Sequence, residues 1–472
     1  MVGVGGSSPL ATTRIYPKAG LIFRPVFISK RFTNYVNVIP RIIARSEHSI
    51  SRSNIDKGVL DILYTLARSG YEAYLVGGGL RDMLLGLEPK DFDVVTNATP
   101  DQIKTVFRSR CRIIGRRFRL AHVHVGDKVI EVATFRAQSD ERGDRLIDDQ
   151  GMVRRDNIYG TRDEDVWRRD FTINALYYNI EDFSLVDYVG ALDDLNAGRI
   201  RLIGDPAVRY REDPVRMIRA VRFACKLGLD LPEETAAPLP VLSHLLAETA
   251  PARLYEEVLK LFHGGQAACV FEKLRQHGLL GGLFDQTEFC LQQSSSWSAV
   301  VIPAALKQTD ERVVSAKGVN PAFLFALMLW EPLWAALECD EGSPVHIDAL
   351  LKMATTVLNE QSERTSIPRP VIQQVKEIWA TQLPLIAMQH KAERVLALPR
   401  FRAAFDFLAL RALALPSLQK DVAYWEQIQL DHPEWLLSAL PSQAVEQEQG
   451  GISDEYSEKR DAPKRRRRYR HR

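Results

Sequence analysis

The period of the apolar positions changes near residue 200. Before it, short apolar runs alternate with glycine and polar breaks; after it, the spacing is that of helices. Val59, Leu60, Ile62, Leu63 and Leu66 recur at helical intervals and predict an amphipathic helix over residues 56–70. Tyr74-Leu75-Val76 reads as a buried strand entering a turn at Gly77-Gly78-Gly79. Leu80 to Leu85 predicts a short helix that Gly86 stops. A second strand is predicted over Asp91 to Val95, with Phe92 and Val94 on its buried side. His122 to Phe135 reads as a hairpin turning at Gly126-Asp127. Residues 136–165 are polar and rich in Asp and Arg, and predict a mobile loop. From about residue 206 the pattern is almost wholly helical, punctuated near Pro232, Pro251 and Gly264-Gly265. No internal repeat is present. The chain therefore reads as α+β, a mixed-sheet head followed by all-helical segments.

Composition narrows the class. A chain of 472 residues, 46% hydrophobic and 26% charged, is long enough for two or three domains with substantial cores. No apolar run reaches the roughly 18 residues that a membrane-spanning helix needs. The net charge of +2 says little about partners; its distribution says more. Residues 464–472 hold seven Lys or Arg and no acid, after an acidic, polar stretch at 443–461, which reads as a disordered, charged tail. RNA phosphate is the partner expected of such a tail, with a plain solubility segment as the alternative. The first 50 residues hold seven Lys or Arg against one acid, Glu47. That composition suits an organelle transit peptide, a basic arm near an RNA channel, or an upstream start; an unstructured arm on a cytoplasmic protein is the reading adopted. The five cysteines, Cys111, Cys225, Cys269, Cys290 and Cys339, show no Cys-x-x-Cys spacing, which argues for a reducing compartment and against a zinc site or a disulfide frame.

Asp91 and Asp93 are the chemical centre of the sequence. On a strand both carboxylates point to one side, roughly 6–7 Å apart, a spacing that can hold Mg²⁺. The glycines before them let backbone approach a triphosphate with no Cβ in the way. Either feature alone is ordinary: Asp-x-Asp is common on solvent-facing strands, and three glycines usually mark a turn. Strand, glycine turn, helix and acid-bearing strand together suggest metal-assisted nucleotidyl transfer. His122 and His124 share a strand face before the hairpin turn and read as packed strand histidines rather than metal ligands.

Leu75 to Asp82 followed by Asp91-Phe92-Asp93 resembles the head of the polymerase-β-type nucleotidyltransferases, and specifically the class containing bacterial poly(A) polymerases and CCA-adding enzymes. Two further blocks are similar to that class, Arg168 to Leu176 and Glu212 to Phe223. Ile113 to Val123 resembles a signature that separates poly(A) polymerases from their CCA-adding relatives, and the basic end, Lys464 to Arg472, looks like the tail of those polymerases. Val38 to Arg41 and Ile50 to Arg52 resemble the family's own N-terminal arm.

The resemblance implies template-independent polyadenylation of RNA 3′ ends from ATP, with a CCA-adding tRNA nucleotidyltransferase as the alternative. A catalytically silent RNA-binding protein is a third reading, against which the intact Asp91, Asp93 and Arg216 argue. Implied cofactors are two Mg²⁺ ions at Asp91 and Asp93, with Mn²⁺ as a substitute; implied partners are mRNA and other transcripts, and RNA-decay or RNA-chaperone proteins. Asp170 is the first choice for a third carboxylate and Glu131 its competitor; the alternative for Asp170 is a helix N-cap or a pair with Arg169. Gly78, Arg81 and Arg169 match nucleotide-contacting positions. Asp213, Arg216, Arg219 and Arg222 are spaced by three and are expected to share one helix face, with Ile218, Val221 and Phe223 anchoring the other. An Asp and an Arg there can imitate a template base, while forked arginines pair with phosphates. Arg253 and Glu256 are expected to form a structural i,i+3 pair. Lys464, Arg465, Arg466, Arg467 and Arg468 are expected to bind RNA. The expected division is a basic arm at 1–55, a nucleotidyltransferase head at 56–195, a base-recognising neck at 196–265, an RNA-binding body at 266–440 and a tail at 441–472.

Overall fold

The computed structural model describes residues 38–115, 119–137, 145–147, 153–156, 158–293, 296–339 and 343–438. The basic residues Lys464 to Arg468, the tail at 441–472, most of the N-terminal arm, and residues 116–118 of the signature lie outside the described residues.

The head's sheet takes in Arg41–Ile43, inside the stretch expected to be a basic arm, so the head begins before residue 56. Asp56 opens its first long helix. Its Oδ1 accepts the Gly58 N–H at 2.7 Å and caps helix α1 (Lys57–Arg68), whose Val59, Ile62, Leu63 and Leu66 are buried as the spacing predicts. The fully buried strand β2 (Ala73–Val76) leads into helix α2 (Gly77–Leu84). This helix starts inside the glycine triplet, not after it at Leu80. Gly86, at φ +72°, follows its end. Strand β3 (Asp93–Thr96) begins two residues later than expected, so Asp91 lies on the incoming loop. Helix α3 (Pro100–Phe107), strand β4 (Cys111–Ile114) and the hairpin of β5 (Leu120–Val125) and β6 (Lys128–Thr134) follow.

The expected loop at 136–165 carries more structure than its composition suggested. It holds a small antiparallel pair, β7 (Arg145–Ile147) and β8 (Val153–Asp156), and the start of helix α4 (Arg162–Arg168). Thr161 and Glu164 begin that helix with a reciprocal capping box. Strands β9 (Leu176–Asn179) and β10 (Leu185–Asp187) then join an N-terminal strand, β1 (Arg41–Ile43), to complete an eight-stranded sheet ordered β1-β10-β9-β2-β3-β6-β5-β4. All pairings in this sheet are antiparallel except β3 with β6.

After helix α5 (Ala191–Asn196) come α6 (Pro206–Glu212) and α7 (Val215–Leu227). Asp213 lies between these two helices, extended at φ −150°, because Pro214 disfavours the helical conformation in the residue before it. Only three of the four charges expected on one helix therefore lie on α7. Two short helices, α8 (Glu233–Ala236) and α9 (Pro238–Leu242), precede α10 (Pro251–Phe262) and α11 (Ala267–Gln276), and helices continue to Ser438. Packing of α7 on α11 joins Cys225 to Cys269 by a disulfide, with Cα atoms 5.9 Å apart. This departs from the reading of the cysteine spacing as arguing against a disulfide frame; Cys111, Cys290 and Cys339 are free. Among the described residues no helix is long and apolar enough to cross a membrane.

A continuous core runs from Leu75 and Val94 through Ile218 and Val258 to Trp330 and Trp379. It holds the helices that follow the sheet in fixed register with it. A smaller cluster of Tyr74, Val76, Val95, Phe135, Val166 and Tyr177 packs separately around β2, β3 and α4.

Candidate active site

The glycine triplet and the two aspartates meet at the junction of β2, α2 and β3. Gly77 has φ +78°, and a Cβ there would sit 2.8 Å from Asp93 Oδ2. A Cβ on Gly79 would lie 2.5 Å from the Asp91 carbonyl oxygen and 3.2 Å from the Phe92 ring. The first turn of α2 thus lies directly against the acid-bearing segment, which only glycine permits. Gly78 has more room, since a Cβ there would meet only the Arg81 guanidinium at 3.3 Å. No side chain caps this helix, so its first-turn N–H groups have no side-chain partner.

Across the sheet, Asp93 of β3 is in register with Glu131 of β6. Strands lie roughly 5 Å apart, and in-register residues present their side chains on one face. His122 of β5 continues the row, its Nε2 3.4 Å from Glu131 Oε1, as expected of a strand histidine packed in the hairpin. Asp91, Asp93, Glu131, Gly78 and Gly79 line one cavity of about 930 Å³. The Asp93 pKa is raised, first by loss of hydration, then by the Glu131 and Asp91 charges, against which Arg169 acts.

Among the described residues no three His, Cys, Asp or Glu side chains form a ready-made metal cluster. The donor set nevertheless fits a hard divalent cation: Asp93, whose pKa burial and the neighbouring Glu131 and Asp91 charges raise, is relieved by one.

Asp170 lies elsewhere. Arg219 of α7 grips its Oδ2 through Nε at 2.9 Å and, more closely, through Nη2; Oδ1 accepts from the Phe171 N–H at 2.8 Å and Asn174 Nδ2 at 3.2 Å. Burial pushes its pKa up, but Arg219 and these hydrogen bonds outweigh burial and hold it well below the carboxylate range. Asp170 does not line the cavity. The structure thus brings Glu131, not the first-choice Asp170, beside Asp93.

The arginines are also more constrained than their spacing suggested. Arg81 is buried; two of its nitrogens donate to Asp82 and Nη1 donates to Asn174 Oδ1 at 2.7 Å. Arg169 donates to Asp165 and to the Tyr177 hydroxyl at 2.8 Å, and Tyr177 donates to the same Asp165. The arginines of α7 engage different partners. Arg216 donates to the Arg209 carbonyl at 2.9 Å and to Glu212 at 3.1 Å, whereas Arg219 takes Asp170. The Arg222 guanidinium lies 4.8 Å from the centre of the Phe223 ring, its pKa lowered by burial against the raising effect of Glu257. Arg253 of α10 holds both Asp213 oxygens at 2.8 Å, in place of the expected pair with Glu256.

Sequence reasoning missed the Asp165–Tyr177–Arg169 and Arg209–Glu212–Arg216 networks. The Thr161-x-x-Glu164 capping signal could have revealed α4, and with it the i,i+4 placement of Asp165 and Arg169.

Family models described as "Poly A polymerase head domain", "Probable RNA and SrmB- binding site of polymerase A" and "Polymerase A arginine-rich C-terminus" match residues 73–201, 228–291 and 342–472. Poly(A) polymerase I of Salmonella typhi is 47% identical over 402 residues, covering 83% of this chain and 86% of that protein. A CCA-adding enzyme of Bacillus pumilus is 38% identical over 205 residues, 43% of this chain and 49% of its own. The Thermotoga maritima CCA-adding enzyme complexed with tRNA shares the fold, with a TM-score of 0.55 at 20% identity over 85% of this chain and 88% of that one. Likeness to the CCA-adding sequence covers less than half of the chain, whereas likeness to the polymerase extends over most of both proteins, and on that ground the chain belongs to the poly(A) polymerase I family of nucleotidyltransferases.

Proposed function

We propose that this chain adds AMP from ATP to RNA 3′-hydroxyls without a template and releases pyrophosphate. The observation that carries the reading is the convergence of Asp91, Asp93 and Glu131 on the glycine-walled first turn of α2. Asp91 and Asp93 would hold Mg²⁺, or Mn²⁺ in its place, with Glu131 as the third carboxylate. Such ions, when bound, lower the pKa of the attacking hydroxyl and neutralise charge on the leaving group. The protein supplies the positioning. The N–H groups of the first turn of α2, which no side chain caps, would receive a phosphate beside Gly78. Asp165 and Tyr177 hold Arg169 close enough to act on Asp93 electrostatically. Arg81, bonded to Asp82 and Asn174, braces the α2 turn, and Arg219, through Asp170, ties the neck to the head.

The division of labour follows the expected segments: chemistry in the head at 56–195, base recognition by Asp213 and Arg216 in the neck at 196–265, and RNA contact in the body at 266–440 and the tail. The description of the matched segment 228–291, naming RNA and SrmB, supports contact with RNA and with a helper protein. Messenger RNA and other transcripts in the cytoplasm are the proposed substrates. The test offers the full chain Mg²⁺, a short RNA with a free 3′-hydroxyl, and ATP or CTP separately. A long ladder with ATP and almost none with CTP is expected. Addition that stops after a few nucleotides, on tRNA alone, would move the reading to CCA addition.

A further inference from the structure

The cavity beside Asp93 has two flanks, and sheet order sets them apart. The glycine turn follows β2 on one side of β3, while Glu131 and the hairpin tip belong to β6 on the other. Displacement at a phosphate places the attacking and leaving oxygens roughly in line, on opposite sides of the phosphorus. With the triphosphate on the glycine flank, the RNA 3′-hydroxyl enters from the hairpin flank.

That flank has a distinct chemistry. Ser53, Asn54 and Asp56 line it from the N-terminal side, and Lys128 and Val129 line it from the start of β6. Ser53 and Asn54 are exposed hydroxyl and amide groups, suited to a ribose. Lys128, with 67% of its side chain exposed, carries a cation whose partner is Asp56 Oδ2 at 2.5 Å. Asp56 caps α1 through its other oxygen, Oδ1, so releasing Lys128 leaves the cap intact. A pair whose ammonium stands in solvent is weak, and the ammonium exchanges readily to another anion.

We propose that Lys128 is a positioning residue for the RNA primer: it leaves Asp56 to take a phosphate of the 3′-terminal segment, against a wall of Ser53 and Asn54. The inference rests on the polymerase reading above. Asp56 acts as the placeholder that keeps the ammonium at the cavity mouth when no RNA is present.

The test uses the full chain with a single-stranded oligonucleotide, measuring KM for RNA and for ATP separately across a salt series. Lys128→Ala is expected to raise KM for RNA about fourfold near 0.15 M salt and to flatten the log KM against log salt slope by about 0.7, the value of one single-strand phosphate contact. KM for ATP and the melting temperature should stay put. Asp56→Asn preserves the helix cap, since Asn caps as well as Asp, and is expected to lower KM for RNA by freeing the lysine. An unchanged RNA slope in Lys128→Ala, or a rise in KM for ATP instead, overturns the assignment. If the wild-type chain makes no polymer, the polymerase reading fails first. Equilibrium binding of the same oligonucleotide, with the same slope criterion, then decides the Lys128 contact alone.

Discussion

Glu131 and Asp170 compete for one role, and their surroundings make opposite demands on a pair of isosteric variants. Glu131→Gln keeps the side-chain length and removes the charge beside Asp93. Among the described residues no Lys or Arg forms an ion pair with Glu131; its close neighbour is His122 at 3.4 Å. The fold should therefore be indifferent, while the reaction should slow by roughly 10²-fold, about 2.7 kcal/mol of transition-state stabilisation. Asp170→Asn does the reverse. It breaks a largely buried pair and leaves the Arg219 guanidinium facing an amide. Breaking a buried pair costs about 3–5 kcal/mol. Arg219 retains 30% exposure, which screens part of that, so about 2–3 kcal/mol is expected. The pH dependence follows from the depressed Asp170 pKa. Its stabilisation is complete above the ordinary unfolded value of about 3.9 and is lost as pH falls through the lower folded value. The stability gap between wild type and Asp170→Asn should thus be constant from neutral pH to about 4 and shrink below it. Single-turnover AMP incorporation and urea denaturation across pH measure the two axes. Wild-type incorporation by Glu131→Gln, together with a fully stable but inactive Asp170→Asn, would refute the reasoning and restore Asp170 as the third carboxylate.

Three further outcomes are expected. Gly79→Ala places a Cβ 2.5 Å from the Asp91 carbonyl and should cost about 1–3 kcal/mol of stability as well as activity, whereas Gly78→Ala should melt like wild type and raise KM for ATP; differential scanning calorimetry and initial rates separate them. Reduction of the Cys225–Cys269 bond, which spans 44 residues, should lower stability by about 4 kcal/mol on the chain-entropy estimate, and alkylation with mass analysis should find two fewer free thiols before reduction than after. Deleting Lys464 to Arg472 removes seven cationic side chains and should flatten the salt dependence of RNA binding by up to about 5 in slope; an unchanged slope would deny the tail any phosphate contact.

What was legible in the sequence was local. The spacing of Val59 to Leu66 marked α1, and Tyr74 to Val76 marked β2, because burial along one element imposes its own period on the residues within it. Gly77 and Gly79 were legible as a close approach, though not what approaches them, since the Asp93 carboxylate arrives from β3 and the Asp91 carbonyl from the loop before it. Register was the hidden quantity. That Glu131 stands opposite Asp93 depends on parallel pairing of two strands 38 positions apart, and residue spacing carries no record of it. The block Arg168 to Leu176 drew Asp170 towards the catalytic reading, yet its partner, Arg219, is 49 positions away. The disulfide was hidden for the same reason. Cys225 and Cys269 carry no motif, and only the packing of α7 on α11 brings them together.

The constraint on the neck bears on the choice of base. A side chain that reads a base edge through fixed donors and acceptors suits one base, and a site that serves two in succession must let those groups turn. Here the freedom to turn is small. Both Asp213 oxygens are held by Arg253, Arg216 is tied to Glu212 and the Arg209 carbonyl, and Arg219 is tied to the head through Asp170. Each tie joins a different element to α7 or its N-terminal end: α10 at Asp213, α6 at Arg216 and the Arg168 block at Arg219. Rotating one arginine towards a second base edge would break a charged pair without replacing it, at a cost of about 3 kcal/mol or more where the pair is buried. A factor of over a hundred against the second base follows from one such break. If Asp213 and Arg216 read the base as proposed, discrimination between ATP and CTP would need no residue that touches cytosine unfavourably; it would arise from the stiffness of the groups that read adenine.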